Sequence, residues 1–165
     1  MTQAADADRD ESASSAPFVG FEGSVLPEWI DANRHMNVSW YDHVFDMAES
    51  SLFSAFGVDE GYIARTNHGM FRLEKHLRYE KELVEGDRLR VDSRIVSSDG
   101  RLLRHFHELW SDSRGVRAAT AGYVSIHVDL NARKPARITD PSVIAPLRKL
   151  ASEHALLPPP DEPRK

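Results

Sequence analysis

The sequence predicts an α+β domain in which a curved, mainly antiparallel five-stranded sheet wraps one long central helix. Residues 39–56 carry apolar side chains at three- and four-residue spacing, the period of a helix with a buried face. Residues 70–128 carry period-two patterns broken by tight-turn signals, which mark a meander of strands. The 165 residues have room for one domain, not for a cofactor domain beside a substrate domain. An apolar helix and a one-faced sheet each need cover, and curling one around the other covers both.

The elements follow in order. Phe18, Val19, Phe21, Val25 and Leu26 mark a strand over 18–27 that ends at Pro27. The helical stripe is Tyr41, Val44, Phe45, Ala48, Leu52, Ala55 and Phe56, while Trp40, Met47 and Phe53 lie off it, so the helix is apolar on more than one side. Asn37 or Ser39 caps its start, Asp42, Asp46 and Glu49 favour the positive end of its dipole, and Gly57 stops it. Strands follow at 70–80, 88–96, 101–110 and 116–128. The turns between them are Glu85-Gly86-Asp87, Asp99-Gly100 and Ser111 to Gly115, the second a strong hairpin signal. Asp140 before Pro141 opens a terminal helix over 140–153. Such a sheet has an open edge and an open face, and a homodimer or dimer of dimers covers them. Residues 1–16 and 158–165 have the composition of disordered tails, which leaves 17–157 as the folded domain.

Composition excludes several functions. There is no cysteine, hence no disulfide, thiolate metal site or cysteine nucleophile. A net charge of −5 does not suit a nucleic-acid binder. No apolar run approaches the ~20 residues that span a bilayer. No basic-then-apolar leader is visible, so a cytoplasmic location is expected.

The densest polar cluster is Trp29-Ile30-Asp31-Ala32-Asn33-Arg34-His35-Met36-Asn37, between the first strand and the helix. It sets a carboxylate, an imidazole and two amides beside the free N–H groups of a helix N-terminus, a ready oxyanion site. A carboxylate there activates water or attacks a carbonyl. The plainer reading is a capping loop in which Asp31 and Asn33 bond their own turn.

Asp31-x-Asn33-x-His35, followed by Met36-Asn37, Tyr41 and a long helix, resembles the hotdog-fold thioesterases of the 4-hydroxybenzoyl-CoA thioesterase-like superfamily. Glu74-x-His76-x-x-Tyr79, the Glu85-Gly86-Asp87 turn, Asp99-Gly100-Arg101 and His105-Phe106-His107-Glu108 resemble its betainyl-CoA thioesterase and carnitine-degradation branch. The resemblance covers about residues 18–145. It implies hydrolysis of an acyl-CoA thioester, with CoA as part of the substrate and no metal or organic cofactor. By position, Asp31 is general base or nucleophile, Asn33 and His35 orient water or substrate, and amides near Asn37 and Val38 polarise the carbonyl. Trp29 stands where many relatives have a further Asp, Arg34 where many have Gly, and Val38 where many have Asn. Asp31 therefore does the carboxylate's work, or Glu74 shares it.

Period-two spacing puts Arg72, Glu74 and His76 on one strand face, either as a solvent-exposed charged ladder or, as the resemblance implies, opposite the Asp31 loop across a dimer interface. His105, His107 and His127 are either packing residues or a three-histidine metal site. Arg133, Lys134 and Arg137 are a solvated patch or a contact for CoA phosphates. Tyr41 with Trp29, Trp40 and Trp110 would suit a quaternary ammonium acyl group as an aromatic cage. Rival functions are an acyl-carrier-protein thioesterase and a non-catalytic acyl-CoA-binding module.

Overall fold

The computed structural model describes residues 15–161. Residues 1–14 and 162–165, within the segments expected as tails, lie outside the described residues. The elements are β1 (Phe18–Ser24), α1 (Val38–Ala55), α2 (Glu60–Thr66), β2 (His68–Tyr79), β3 (Arg88–Ser98), β4 (Leu102–Ser111), β5 (Val116–Asp129), β6 (Lys134–Pro135) and α3 (Pro141–His154). The sheet runs β1-β3-β4-β5-β2, with every pairing antiparallel and the two-residue β6 added beside β5.

The main elements form where their patterns place them. Asn37 caps α1, its Oδ1 accepting the Ser39 N–H at 3.0 Å, and Gly57 follows the helix at a positive φ of 93° that glycine adopts without strain. Asp140 caps α3 through the Ser142 N–H at 2.9 Å. The Asp99-Gly100 hairpin joins β3 to β4, with Asp99 Oδ1 accepting from Arg101 and Leu102.

Three local features differ from expectation. β1 ends at Ser24, and Pro27–Trp29 is a 3-10 turn, because proline lacks a ladder donor and its fixed φ suits a first helical turn. α2, capped by Asp59, is too short to show a period. In the Pro-rich terminal segment the Pro158 carbonyl accepts from Arg94 at 2.5 Å and Asp161 accepts from Arg117 at 2.9 Å.

α1 lies in the concave face of the sheet. Tyr41, Val44, Phe45 and Ala48 pack with Leu89, Val91, Leu109, Ala119 and Tyr123 in one apolar cluster. Leu52 and Phe56 pack with Ile95, Leu103, Val143 and Leu147 in a second. Gly20 permits close approach of α1 to β1: a Cβ there would stand 2.7 Å from Ser93 Oγ and 2.9 Å from the Ala48 carbonyl oxygen, and the helix backbone cannot yield. Among the described residues no helix is long and apolar enough to cross a membrane.

Candidate active site

The loop from Trp29 to Asn37 is closed by backbone hydrogen bonds, within the loop and to the segment that precedes β3. Asp31 N–H donates to the His35 carbonyl at 3.1 Å, Met36 N–H to Leu83 at 2.7 Å and Asn37 N–H to Trp29 at 2.9 Å. Arg34 takes a left-handed φ of 66°, a conformation that costs a non-glycine residue ~1–2 kcal/mol. This is the position where many of the resembled family carry Gly.

Within this frame Asp31 is held at both oxygens. Asn33 N–H donates to Oδ1 at 2.8 Å and Asn37 Nδ2 to Oδ2 at 3.0 Å. These donors, the Asn33 amide first, hold the Asp31 carboxyl below the usual carboxylate range, so it is ionised at neutral pH. Asn37 therefore caps the helix with its oxygen and orients the carboxylate with its nitrogen. His35 is half-buried beside it, its Nδ1 3.4 Å from the Met36 carbonyl oxygen. Val38 is exposed at the first turn of the 18-residue α1, where partial positive charge gathers.

A cavity of about 240 Å³ opens at this same end, against His35, Val38, Tyr41 and Tyr79. The Tyr41 and Tyr79 rings meet edge to face at 5.2 Å. The Tyr41 hydroxyl donates to the Lys81 carbonyl at 3.2 Å, and burial pushes its pKa up to about 12. The aromatic cage expected from the tryptophans is not formed. Trp29 and Trp40 stack on each other at 4.9 Å and 14°, which leaves no room for a cation between them, and Trp110 lies on β4 opposite Arg90.

Other expected site residues are placed elsewhere. The row Arg72-Glu74-His76 is split, because the β2–β5 register shifts between Arg72 and Glu74. A bulge adds a residue and reverses the alternation of faces. Arg72 turns toward α1, where it pairs with Glu49 and Asp46, and Lys75 does likewise with Asp42. Glu74 and His76 are exposed on the opposite face, so one protomer does not bring them to Asp31. Arg133 and Lys134 follow the end of β5 that pairs with His68, ten residues from the end that pairs with Tyr79. At ~3.3 Å per residue they lie roughly 33 Å from the cavity, at the other end of the sheet.

The three histidines do not converge on one point. His127 Nε2 lies 2.9 Å from the Tyr62 hydroxyl and its Nδ1 faces the Ala136 carbonyl. Among the described residues no group of His, Asp and Glu side chains is arranged to hold a metal ion. His105 and His107 instead belong to a polar layer between the two apolar clusters, with Glu49, Ser93 and Ser125. Glu49, assigned from sequence to the helix dipole, is 6% exposed and accepts from Arg72 and Ser125. The signal was present in its spacing, four residues after Phe45 and three before Leu52 on the apolar stripe. A charge at such a position demands a buried partner.

The antiparallel sheet curled round one central helix defines the class: a hotdog-fold protein. Residues 25–146 match the thioesterase-like superfamily; the chain belongs to that family and is a thioester hydrolase. It is 32% identical over 141 residues to a betainyl-CoA thioesterase of Pseudomonas aeruginosa, covering 86% of this chain and 88% of that protein. It is 30% identical over 149 residues to the L-carnitine dehydrogenase/betainyl-CoA thioesterase of Rhizobium meliloti, covering 90% of this chain but only 29% of that longer protein. In fold it is similar to a hypothetical protein of Staphylococcus aureus solved in complex with CoA, with a TM-score of 0.81 and 21% identity over 88% of this chain and 92% of that one.

Proposed function

We propose that the protein hydrolyses a short acyl-CoA thioester, with Asp31 as general base. Asp31 takes a proton from water, and the resulting hydroxide attacks the thioester carbonyl carbon. The Val38 N–H at the start of α1 receives the oxyanion, since the Asn37, Ser39 and Trp40 N–H groups already donate within the loop and cap. Collapse of the tetrahedral intermediate breaks the C–S bond, and the CoA thiolate leaves with the proton that Asp31 had taken from water, which restores the carboxylate. Asn33 and Asn37 keep the carboxylate aimed and ionised, and His35 orients water or the acyl group. These steps use side chains, amides and water only. The observation that carries the reading is the bond from Asn37 Nδ2 to Asp31 Oδ2, which ties the base to the helix start.

The relatives named for betainyl-CoA and the small cavity beside Val38 support a short, cationic acyl group. We further propose a homodimer that pairs the open edge of β2. Asp31→Asn preserves size but sets one amide donor against another, so it is expected to lower melting slightly while the protein stays folded, and to lower thiol release at least a hundredfold, the scale on which one acid–base group counts. Unchanged turnover would remove Asp31 from the mechanism. Tight acyl-CoA binding by the wild-type protein without thiol release would instead mark a binding module.

A further inference from the structure

We propose that the CoA phosphates are held in trans, by Arg133 and Lys134 of the partner subunit in a dimer that pairs β2 with β2. The proposal rests on the hydrolase and edge-pairing readings above and names the site that takes the nucleotide end of the substrate.

The register of the sheet carries the argument. Within one protomer Arg133 and Lys134 follow the end of β5 that pairs with His68, while the cavity lies at the end that pairs with Tyr79. A two-fold axis through the middle of β2 turns that far end round. Antiparallel pairing along the 12 residues of β2 sets Tyr79 of one copy opposite the partner's His68. His68 pairs with Asp129, and Asp129 pairs with Lys134. Tyr79, the partner's His68, the partner's Asp129 and the partner's Lys134 therefore form one row across four strands. Three strand spacings of ~4.8 Å put the partner's Lys134 roughly 14 Å from Tyr79 at the cavity wall. The pantetheine arm of CoA is built from two amide-linked units and has the reach of about four to five extended residues, roughly 13–18 Å. With the thioester at Asp31 and Val38, the arm brings the phosphates to the partner's hairpin, whereas the same hairpin in its own protomer is out of reach.

The hairpin suits an anion. Arg133 and Lys134 are exposed, and among the described residues neither has an ion-pair partner. The neighbouring acid, Asp129, already serves its own turn, its Oδ1 accepting from Asn131 at 2.8 Å and Ala132 at 3.0 Å. Arg137 adds a third cation, bonded to the neutral Asp99 carbonyl. Positive charge is thus in excess here, and guanidinium and ammonium groups are the donors that phosphates take. Arg133 also holds a left-handed φ of 53°, a strained conformation of the kind found at ligand clamps.

Two measurements test the site. Calorimetry compares CoA with pantetheine, which lacks the phosphates, in the wild type and in Arg133→Gln/Lys134→Gln. The variant is expected to melt as the wild type does, to bind pantetheine equally and to lose roughly tenfold or more in CoA affinity. Unweakened CoA binding would overturn the site. Mixed dimers, isolated with two affinity tags, then separate trans from cis. One protomer carries Asp31→Asn and the other Arg133→Gln/Lys134→Gln, so one active site keeps Asp31 and faces an unaltered hairpin on the partner. That dimer is expected to show the wild-type KM for an acyl-CoA at about half the wild-type kcat. A KM as high as that of the Arg133→Gln/Lys134→Gln homodimer would overturn action in trans. Absence of thiol release from every acyl-CoA in the wild type would instead overturn the hydrolase reading, a result distinct from hydrolysis with unweakened CoA binding in the variant.

Discussion

His105 Nδ1 stands 2.8 Å from His107 Nε2, with both rings fully buried. Each neutral imidazole has one donor and one acceptor, and Glu49 can only accept. His105 Nε2 lies 3.0 Å from Ser125 Oγ, whose own proton goes to the Glu49 carboxylate, so that nitrogen carries the proton and Nδ1 accepts. His107 must then donate from Nε2 and accept at Nδ1, where Ser93 Oγ lies at 2.7 Å. Every proton in the row points toward the carboxylate, whose charge the Arg72 guanidinium balances.

This pair makes folding sensitive to acid. Burial, and then the Arg72 charge, pull the His105 pKa from 6.5 down to about 3. Burial, with His105 and Arg72 nearby, pulls His107 well below 6.5. The unfolded chain protonates both rings near 6.5, while the folded protein keeps them neutral. Stability therefore falls as pH drops below 6.5, at ~1.4 kcal/mol per pH unit per histidine, and the pair adds no slope above it. Urea midpoints taken from pH 7 to pH 4 should decline steeply, and the double variant His105→Gln/His107→Gln should flatten the decline. Equal slopes in the two proteins would show that the pair does not titrate on unfolding.

The helix, the meander and their caps were legible because local signals decide them: period, Asx caps and the Asp99-Gly100 turn. The Asp31 loop was legible because its residues are contiguous. What escaped depends on where chains meet in space. The bulge near Leu73 has no sequence mark of its own, yet it reverses the faces of Glu74 and His76 relative to Arg72. Glu49 has a telling spacing, but its partners Arg72, His105 and Ser125 come from three strands. Trp29 and Trp40 show as aromatics in any reading, and only packing decides that they stack on each other.

Asn37 holds two roles that a pair of substitutions separates. Asn37→Ala removes the cap of α1, at a cost of ~1 kcal/mol, and also frees Asp31 Oδ2. Asn37→Asp keeps a good capping residue at a helix N-terminus but sets a second carboxylate beside Asp31, which raises its pKa. The expected outcome is a melting temperature near wild type in Asn37→Asp, lowered in Asn37→Ala. The acid limb of the kcat/KM profile should move to higher pH in both. A profile unchanged in both would mean that the Asn37 bond does not tune the base.

The open edge of β2 makes the assembly testable. Its outer side has no strand neighbour among the described residues, and Phe71 and Leu73 are 42% and 57% exposed on it. An unpaired edge bearing apolar side chains invites a second copy, whereas a lysine there is a common way to keep an edge single. In an antiparallel pair about a two-fold axis, each substitution enters the interface twice. Phe71→Lys/Leu73→Lys therefore places four new charges where apolar contacts would form. Sedimentation equilibrium should report a dimer for the wild-type protein and a monomer for the double variant. Leu156→Lys, an exposed apolar position just after α3, which packs against β3, should remain dimeric. A wild-type monomer at micromolar concentration would refute edge pairing, and so would a double variant that stays dimeric.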